Sequence, residues 1–481
     1  MSNLIEHLIF RARISPQAIA VQGHEKSVTY KQLLLIVKGV AKKIRDLGIQ
    51  PQEVVLTCIS GMYWEYILTL AMLHEGVVGC AGHSYKIEGI SIEPDWVISD
   101  QMPEAYPSEK VIIINGEWFK SAAEFSQVEL DYYKASSSVE ISRMTLTSGT
   151  TGLRKAVAFT NQMLELRAKS YKTQWANIGR ECNMMRLSTA GGFNSMLSNL
   201  ISGQPYYAYS NPAQMVKLIN QHHLQFLAGS PGQLSGFIEF VVSNKITLKR
   251  LNAVRYGGGG VSEVFLKRCW DTLSDRVLGA YGSTETGNTC NFIYQKDVIR
   301  KNIGGFALPS VNIRITDDDL IELPQGEHGR ISIRSPYMAS AYLNNPEQSE
   351  KFFKQGWFYP GDTGFIQKDG LVILVARNDE IVNVRGMKIN LAQIDEYLQQ
   401  YPKLQEGAAF AYKDRDGLQA YGVAIVPKVD LKIEELKAYM DQQSGPERAP
   451  RGIFFIKKIP RNTMSKIVRS EIEKLYYQSL T

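Results

Sequence analysis

The chain has little of what marks a membrane, secreted or nucleic-acid-binding protein. No apolar run is long enough to span a bilayer. The N-terminus, Met-Ser-Asn-Leu-Ile-Glu-His, lacks the basic start and apolar core of a signal peptide. The formal charge of +6 over 481 residues is too mild for a dedicated nucleic-acid binder. We therefore expect a cytoplasmic protein with no integral membrane segment and no nucleic-acid partner.

Cysteine is also scarce. The five cysteines, at positions 58, 80, 182, 269 and 290, form no C-x-x-C pair and have no histidine at ligand spacing. This pattern excludes a disulfide framework and a structural zinc site. It predicts reduced, mostly buried thiols.

The length and the order of the elements predict the fold class. A chain of 481 residues is too long for one hydrophobic core, so we expect two or three domains. Strand and helix patterns alternate, which favours α/β layers with largely parallel sheets. Examples are a strand at Lys26–Tyr30, a helix at Lys31–Leu47, a strand at Val54–Ile59, a helix at Trp64–Glu75, and a helix at Asn161–Trp175 whose exposed face carries Glu165, Arg167, Lys169 and Lys172.

One stretch is dense in hydroxyls and glycines. After an apolar lead-in come Thr147, Ser148, Gly149, Thr150, Thr151 and Gly152, and then Lys155. Such a loop suits phosphate oxygens, because its N–H and O–H groups can converge on them and its glycines allow close approach. It is not a Walker A loop, since Arg154 and Lys155 follow Gly149 at the wrong offsets. By itself the stretch would rather indicate a surface turn rich in serine and threonine.

Further motifs follow in order, each with an ordinary alternative. Leu251–Gly260 is a strand that runs into four glycines, and Ala280–Glu285 reads Ala-Tyr-Gly-Ser-Thr-Glu. Gly356–Gly364 contains Pro-Gly-Asp, and Val375–Ile389 contains Arg-Asn-Asp. Pro460–Arg469 places Lys466 in a basic segment. Taken singly, these are also typical of turns, polar linkers and solvated faces.

As a set, the motifs resemble those of the adenylate-forming superfamily, which comprises acyl- and aryl-CoA synthetases, luciferases and the adenylation domains of peptide synthetases. The resemblance spans roughly Lys26 to Arg469. Several positions depart from the usual pattern: Arg154 replaces a proline, Ala156 a glycine, Pro360 a threonine, Ala376 a glycine and Ser465 a glycine.

The resemblance implies two domains. Residues 1–377 would form a large N-terminal adenylation domain of layered mixed and parallel sheets with helices. Residues 378–481 would form a small, mobile α+β domain that carries the catalytic lysine. Asp379 would be the hinge between them.

The resemblance also implies the residues of an ATP site. Lys466, Thr284 and Glu285 would be catalytic, and Glu285 with Thr147 would hold Mg²⁺. Tyr281 would lie against adenine, Asp362 would accept hydrogen bonds from the ribose, and Arg377 would reach the ribose or a phosphate. The full set implied for ATP and AMP is Thr147, Ser148, Gly149, Thr150, Thr151, Gly152, Lys155, Gly258, Gly259, Tyr281, Gly282, Asp362 and Arg377.

The segment Met185–Gly203 resembles one wall of the family's acid pocket. Amino-acid-activating relatives carry an aspartate there that binds the substrate ammonium, and Ala190 stands in its place. A free α-amino acid would therefore lack a counter-charge. The pocket residues implied are Ala190, Phe193, Asn194, Gly257, Ala280 and Asn288.

The implied activity is an acid–thiol ligase. It would use ATP and Mg²⁺ to convert a carboxylic acid to an acyl-adenylate with release of pyrophosphate, and then transfer the acyl group to CoA. One alternative acceptor is the phosphopantetheine of a carrier protein acting in trans. A basic cluster between Arg448 and Arg469 would suit either acceptor or be a solvated face. An alternative of another class is a non-catalytic adenylate-binding homologue.

Overall fold

The computed structural model describes residues 3–82, 92–103, 107–122, 131–134, 139–147, 155–174, 178–296, 302–377, 380–384, 387–413, 419–428, 431–445, 449–462 and 465–480. The chain forms two compact units. The first unit comprises Met1–Arg300, Gly304–Ile313 and Ile333–Phe358, and the second comprises Lys301–Ile303, Arg314–Ser332 and Tyr359–Thr481. The domain boundary between residues 377 and 378 stays a prediction.

A predominantly parallel sheet organises the N-terminal part of the first unit. Its strand order is β6-β5-β3-β4-β7-β8, and only β8 is antiparallel to its neighbour. The strands are β3 (Val54–Cys58), β4 (Val78–Ala81), β5 (Trp96–Ser99), β6 (Val111–Ile113), β7 (Ile141–Leu146) and β8 (Ala156–Thr160). A small sheet joins β1 (Ile19–Gln22), β2 (Ser27–Thr29) and β10 (Tyr206–Tyr207).

Helices cover this part of the first unit. They are α1 (Ile5–Ile14), α2 (Tyr30–Asp46), α3 (Met62–Glu75), α4 (Gly116–Ser121), α5 (Asn161–Gln174) and α6 (Ala190–Ser202), with a short 3₁₀ turn at Ser108–Lys110. Local sequence sets several of their ends. Thr29 and Gln32 form a capping box at the start of α2, and Gly76 ends α3 with a φ of 71°.

A second sheet in the first unit positions the strand ends that matter below. Its order is β15-β14-β13-β12-β11-β9, with β9 (Glu181–Asn183), β11 (Phe226–Gly229), β12 (Ala253–Gly257) and β13 (Val277–Ser283) parallel. The antiparallel strands are β14 (Gly287–Ile293) and β15 (Ile303–Ala307). The unit also contains α7 (Pro212–Gln221), α8 (Pro231–Ser243), α9 (Glu263–Thr272), α10 (Pro346–Phe352), β18 (Phe353–Lys354) and β19 (Trp357–Phe358). The carboxyl ends of the parallel strands meet at one edge, which is the usual place for ligands in α/β folds.

The second unit is α+β. Antiparallel pairs join β17 (Gly329–Arg334) to β20 (Asp362–Ile366), β20 to β21 (Leu371–Arg377), and β22 (Ile381–Val384) to β23 (Met387–Asn390). Strand β16 (Asn312–Thr316) pairs with β17. A further sheet has the order β24-β25-β26, from Leu404–Lys413, Gln419–Pro427 and Gly452–Phe455, and the helices are α11 (Leu391–Gln400), α12 (Ile433–Ser444) and α13 (Arg469–Ser479). The predicted α/β class, with large N-terminal layers and a small C-terminal α+β part, is confirmed.

The structure bears on two features noted in the sequence, the few cysteines and the absence of long apolar runs. All five cysteines are buried thiols that form no disulfide, as predicted. Burial raises the pKa of the Cys58 and Cys80 thiols to about 12, so both stay protonated at neutral pH. Within the described ranges, no helix is both long enough and apolar enough to cross a membrane.

A buried ion pair joins helix α13 to the rest of the second unit. The Arg469 guanidinium lies 2.8 Å from Asp395 Oδ2, 3.3 Å from Glu380 Oε1, and donates to the Ala409 carbonyl at 2.6 Å. Asp395 is 6% exposed and also accepts the Ala409 N–H at 2.6 Å. Burial raises the pKa of Asp395, while the Arg469 cation lowers it. Loss of that cation would leave a buried carboxylate unpaired.

We therefore expect Arg469→Met to destabilise the second unit by about 3–5 kcal/mol. Hydrogen exchange measured by mass spectrometry on β24 and β25 would show faster exchange in this variant. The matched control is Arg451→Met, because Arg451 is exposed. Equal protection in both variants would contradict a stabilising role for the Arg469 pair.

Candidate active site

A hairpin stem holds the two ends of the predicted phosphate loop. Leu146 of β7 pairs with Ala156 of β8, and the Thr147 N–H donates to the Lys155 carbonyl at 2.8 Å. Residues 148–152 lie outside the described residues, so the phosphate roles of Ser148, Gly149, Thr150, Thr151 and Gly152 stay predictions. The stem fixes where the loop begins and ends.

Thr147 carries a polar atom that lacks a partner. Its hydroxyl oxygen is buried and forms no hydrogen bond with any residue that the structure describes. Buried hydroxyls in native proteins almost always have a partner, so this hydroxyl is available to a ligand. This is compatible with the predicted contact of Thr147 with Mg²⁺ or phosphate.

Arg167 organises the turn that contains Thr284 and Glu285. Its guanidinium donates to the carbonyls of Thr284 at 2.9 Å, Glu285 at 2.7 Å and Tyr337 at 2.9 Å. It also lies 4.2 Å from the centre of the Phe159 ring. The planar fork of arginine suits three acceptors in a fixed arrangement, which a lysine cannot match.

The predicted exposure of Arg167 is wrong. The helical pattern placed it on the solvent face of α5, but the side chain is 3% exposed. Burial lowers the pKa of Arg167 to about 9, so it stays cationic at neutral pH. The reason is tertiary: the carbonyls that it binds come from segments more than one hundred residues away, which no helical periodicity can reveal.

Close backbone contacts shape the turn after β13. The hydroxyls of Ser283 and Thr286 lie 3.1 Å apart, and the Thr289 hydroxyl donates to the Tyr281 carbonyl at 2.9 Å. A Cβ atom at Gly282 would lie 2.1 Å from the Gly287 carbonyl oxygen, so a side chain at position 282 would collide with the neighbouring strand. The glycine of the motif is therefore a packing requirement.

Tyr342 connects the hairpin stem at Lys155 to the turn at Glu285. Its hydroxyl donates to Glu285 Oε1 at 2.6 Å, and the Lys155 ammonium lies 4.6 Å from the centre of its ring. The backbone reinforces the link, since the Ala339 N–H donates to the Glu285 carbonyl at 2.8 Å and the Leu343 N–H to the Ala156 carbonyl at 2.9 Å. Residues 339–343 thus hold the hairpin stem beside the Glu285 turn.

Lys155 has an aromatic environment that the sequence did not reveal. Besides Tyr342, its ammonium lies 4.2 Å from the centre of the Phe352 ring. Cation–π contacts of this kind favour a charged ammonium at a fixed place. The predicted contact between Lys155 and phosphate stays a prediction.

The oxygen atoms present fit a magnesium ion. Glu285 is 7% exposed, and its carboxylate offers a hard oxygen beside the one that Tyr342 binds. Mg²⁺ usually takes one or two carboxylates and completes its shell with phosphates and water. The described residues contain no cluster of three or more metal-binding side chains. Glu285 and Thr147 each carry an oxygen of the kind that Mg²⁺ binds, and their joint role in holding the ion stays a prediction.

The glycine-rich strand ends at the ligand edge of the second sheet. Gly257 pairs with Ala280 across parallel strands, which brings these two predicted pocket residues together. Gly258 follows with a φ of 82°, a conformation that favours glycine, and Gly259 lies next to Pro231. Tyr281 continues from Ala280 on β13. This edge therefore gathers five residues of the predicted nucleotide and acid sites.

The remaining predicted pocket residues differ in their surroundings. Ala190 begins α6, and Asn194 is buried one turn later. Asn288 donates to Gln174 Oε1 at 2.5 Å and to Asn291 Oδ1 at 2.7 Å. Phe193 instead is 1% exposed within the hydrophobic core, with the Arg143 guanidinium 4.0 Å above its ring. Sequence pattern alone did not separate core from pocket on this helix.

The second unit brings together two residues that are predicted to bind the nucleotide. Asp362 on β20 and Arg377 on β21 are directly opposite each other in an antiparallel pair. Neighbouring strands thus present both residues at one place on this sheet, as a ribose site would need. The side chain of Arg377 and all of Asp379 lie outside the described residues, so their roles stay predictions.

Lys466 lies in a tight turn of the second unit. Its N–H donates to Asn462 Oδ1 at 3.0 Å, and its carbonyl accepts the Asn462 N–H at 2.9 Å. Ser465 has a φ of 61°, which explains why the family pattern has glycine at this position. Serine keeps the turn at some cost in strain, so the departure at Ser465 leaves the backbone around Lys466 in the form that glycine would adopt.

A family model described as AMP-binding enzyme matches residues 94–343, more than half of the chain. The chain belongs to the AMP-binding enzymes. This confirms the resemblance inferred from the motifs. The matched region contains the hairpin stem, the glycine-rich strand, Arg167, Glu285 and Tyr342.

Individual AMP-binding enzymes resemble the chain over its whole length. It is 23% identical to a 2-succinylbenzoate–CoA ligase of Bacillus mycoides, covering 99% of both proteins, and 23% identical to a 4-chlorobenzoate–CoA ligase of Arthrobacter, covering 98% of this chain and 95% of that protein. Its fold matches O-succinylbenzoate CoA synthetase of Bacillus subtilis in complex with AMP, with a TM-score of 0.84 at 19% identity over 98% of both chains. The same synthetase with ATP and a magnesium ion gives a TM-score of 0.81.

Substitution of Arg167 would test its hold on the Glu285 turn. Arg167→Met removes the donor to the Thr284 and Tyr337 carbonyls and leaves the Glu285 carbonyl with the Ala339 N–H alone, so we expect a loss of roughly 2–5 kcal/mol of stability. Thermal unfolding followed by tryptophan fluorescence measures this loss, and hydrogen exchange across residues 281–289 localises it.

Lys169→Met on the same helix is the control for Arg167→Met, because the Lys169 side chain is 57% exposed. A transition midpoint that Arg167→Met lowers no further than the control would contradict the proposed organisation of the turn.

Proposed function

We propose that the chain is an AMP-forming acid–CoA ligase. One observation carries the proposal: Tyr342 joins Lys155 at the base of the phosphate loop to Glu285, so two distant motifs form one site. Relatives of nearly equal length are named as CoA ligases for aromatic acids, which supports the same reaction type.

The reaction solves a problem of leaving groups. A carboxylate is a poor acyl donor because oxide is a very bad leaving group. Attack of a carboxylate oxygen on the ATP α-phosphate forms an acyl-adenylate and expels pyrophosphate, and a thiol then displaces AMP. Negative charge gathers on the phosphates during the first step, so the site needs fixed positive charge and hydrogen-bond donors. No protein nucleophile is required.

The residues of the first unit would meet that need. Lys155 and the loop from Thr147 to Gly152 would bind phosphate oxygens, Thr284 would donate to the α-phosphate, and Tyr281 would lie against adenine. Glu285 and Thr147 would hold Mg²⁺, which when bound would offset charge on the phosphates. The glycines at 258, 259 and 282 would let the nucleotide approach the backbone.

The second unit would supply the other contacts. Asp362 would accept hydrogen bonds from the ribose hydroxyls, and Arg377 would reach the ribose or a phosphate. Lys466 would bridge the substrate carboxylate and the α-phosphate during adenylation. The C-terminal domain, residues 378–481, would then turn about Asp379 to withdraw the lysine and admit the thiol.

CoA is the acceptor that we favour, and a carrier-protein phosphopantetheine is the alternative. The basic residues between Arg448 and Arg469 suit the phosphates of CoA as well as an acidic carrier surface. Incubation with CoA and with a phosphopantetheinylated carrier would separate the two. Acid-dependent exchange of pyrophosphate into ATP tests the adenylation step itself. Its absence with every acid of a broad panel would favour the non-catalytic alternative.

The first variant that tests this site is Tyr342→Phe. It removes the hydrogen bond to Glu285 but keeps the ring beneath Lys155. Loss of this bond to a carboxylate should cost about 1.5–3 kcal/mol, or roughly a tenfold to hundredfold loss of pyrophosphate exchange. Because Glu285 loses its orientation, the Mg²⁺ concentration for half-maximal exchange should rise as well.

Tyr294→Phe is the matched control for Tyr342→Phe, since Tyr294 is a buried tyrosine that donates to Glu263 at 2.5 Å. A rate loss without any shift in Mg²⁺ dependence would contradict a positioning role for Tyr342.

The second variant is Lys466→Ala, which separates the two half-reactions. Removal of one cation that stabilises the transition state should lower adenylation by roughly 10²–10³-fold. Thioester formation from supplied acyl-adenylate should be spared, because that step does not use this lysine. Lys457→Ala, at an exposed residue of the same basic segment, should change neither half-reaction. Equal losses in both half-reactions of Lys466→Ala would rule out the proposed role.

A further inference from the structure

Two aromatic rings lie against the Lys155 ammonium from different sides. The ammonium is 4.6 Å from the centre of the Tyr342 ring and 4.2 Å from the centre of the Phe352 ring. The two ring centres are 6.1 Å apart and the ring planes meet at 85°, so the rings form a corner that contains the ammonium. We call the rings of Tyr342 and Phe352 the aromatic corner. Both distances lie in the range at which a ring face attracts a cation.

Hydrogen bonds connect the aromatic corner to the strand that follows the lysine. The Tyr342 N–H donates to the Ser349 hydroxyl at 2.9 Å, and Ser349 lies about one turn before Phe352 on α10. The next residue, Leu343, donates its N–H to the Ala156 carbonyl at 2.9 Å. Ala156 begins β8 and directly follows the lysine in the chain. The two rings and the lysine are therefore held by connected backbone segments.

Other aromatic residues set the position of the Phe352 ring. Phe352 is partly buried against the hydrophobic core, and its ring centre lies 6.4 Å from that of Phe358. Phe353 packs on the same cluster, with its ring centre 5.3 Å from that of Tyr342 and 4.9 Å from that of Phe358. Packing inside the protein therefore orients the ring of Phe352 before any ligand binds.

An aromatic corner holds a cation without neutralising it. The ammonium of lysine has three N–H donors, and a ring face attracts its charge without the strong acceptor oxygens of a carboxylate. A carboxylate in the same place would offset the positive charge and compete with phosphate for the N–H groups. A lysine that is already ordered also loses less side-chain entropy when phosphate binds. The corner therefore suits a lysine that binds phosphate.

This chain lacks one feature that would restrict the backbone before the lysine. The family pattern has proline at that position, where this chain has Arg154. Proline fixes its own φ, a restriction that arginine does not impose. Placement of Lys155 by contacts of its side chain therefore matters more in this chain.

We propose that Phe352 is a positioning residue for phosphate binding, which together with Tyr342 holds the Lys155 ammonium charged and ordered at the stem of the phosphate loop. The bond from the Thr147 N–H to the Lys155 carbonyl places the lysine at this stem. Tyr342 also binds Glu285, whereas the Phe352 side chain has no polar group and acts on phosphate through the lysine. This inference rests on the proposed adenylation and adds a residue outside the motifs that implied the site.

The variant Phe352→Leu removes the ring and keeps an apolar side chain. Pyrophosphate exchange gives the KM for ATP and for pyrophosphate, and calorimetric titration with ATP and Mg²⁺ gives a Kd without turnover. We expect all three constants to rise about threefold to thirtyfold, because one cation–π contact is lost. The KM for the acid and the Mg²⁺ dependence should stay unchanged, since Glu285 keeps its bond to Tyr342.

Fluorinated phenylalanines at position 352 separate cation attraction from packing. Fluorine withdraws electron density from the ring face and changes the ring shape little, so each added fluorine should weaken the attraction. The Kd for ATP should therefore rise stepwise from one to three fluorine atoms. Lys351 also lies near this ring, 5.5 Å from its centre. The same series in a Lys155→Met background should be flat, which would assign the effect to Lys155.

Phe353→Leu is the matched control for Phe352→Leu. Phe353 belongs to the same aromatic cluster and packs on Tyr342 and Phe358. This control should lower the unfolding temperature about as much as Phe352→Leu does, yet leave the KM for pyrophosphate and the Kd for ATP unchanged. Thermal unfolding of each variant shows whether it is folded.

The outcomes distinguish this inference from the proposed function. Equal Kd values for ATP in the wild type and Phe352→Leu would overturn the inference, and so would a flat fluorine series while Lys155 is present. An equal rise in Phe353→Leu would also overturn it, because general loosening of the cluster would then explain the effect. Absence of pyrophosphate exchange with every acid refutes the proposed adenylation, whereas a stepwise rise in the Kd for ATP still supports the aromatic corner.

Discussion

The turn that contains Thr284 and Glu285 depends on one buried cation, Arg167. The Arg167 guanidinium donates to three carbonyls, two in the turn after β13 and one in the segment that leads to Tyr342. Without it, those carbonyls would lie in a low-dielectric interior with unmet hydrogen-bonding capacity. Burial in this arrangement lowers the pKa of Arg167. The positions of Thr284 and Glu285 follow from that arrangement, and so does the approach of Tyr342 to the Glu285 carboxylate.

Three sets of contacts fix the positions of the candidate site residues. The hairpin of β7 and β8 fixes the ends of the hydroxyl-rich loop, Tyr342 links that hairpin to Glu285, and parallel strands bring Gly257 beside Ala280. Next to the hairpin, the buried hydroxyl of Thr147 has no hydrogen-bond partner among the described residues. Preorganisation of this kind is what electrostatic stabilisation of a phosphoryl transition state requires.

Departures from the family pattern fall where the structure tolerates them. Ser465 adopts a φ of 61° in the turn before Lys466, a conformation that serine reaches at modest cost. Ala156 is completely buried in the stem of the phosphate loop, paired with Leu146, and a methyl group fits there. These two substitutions therefore preserve backbone geometry, while the side chains with predicted chemical roles are retained.

The sequence by itself determined the α/β class, the order of the motifs and the membership in the AMP-binding enzymes, because glycines, hydroxyls and strand patterns act over a few residues. It also indicated the bounds of helices such as α3, which ends where Gly76 permits a left-handed turn. Only the tertiary structure decided that Arg167 is buried, that Phe193 packs in the hydrophobic core cluster, and that Tyr342 binds Glu285. These facts depend on contacts between segments far apart in the chain. No local pattern records such contacts, since burial and pairing arise only when the layers pack.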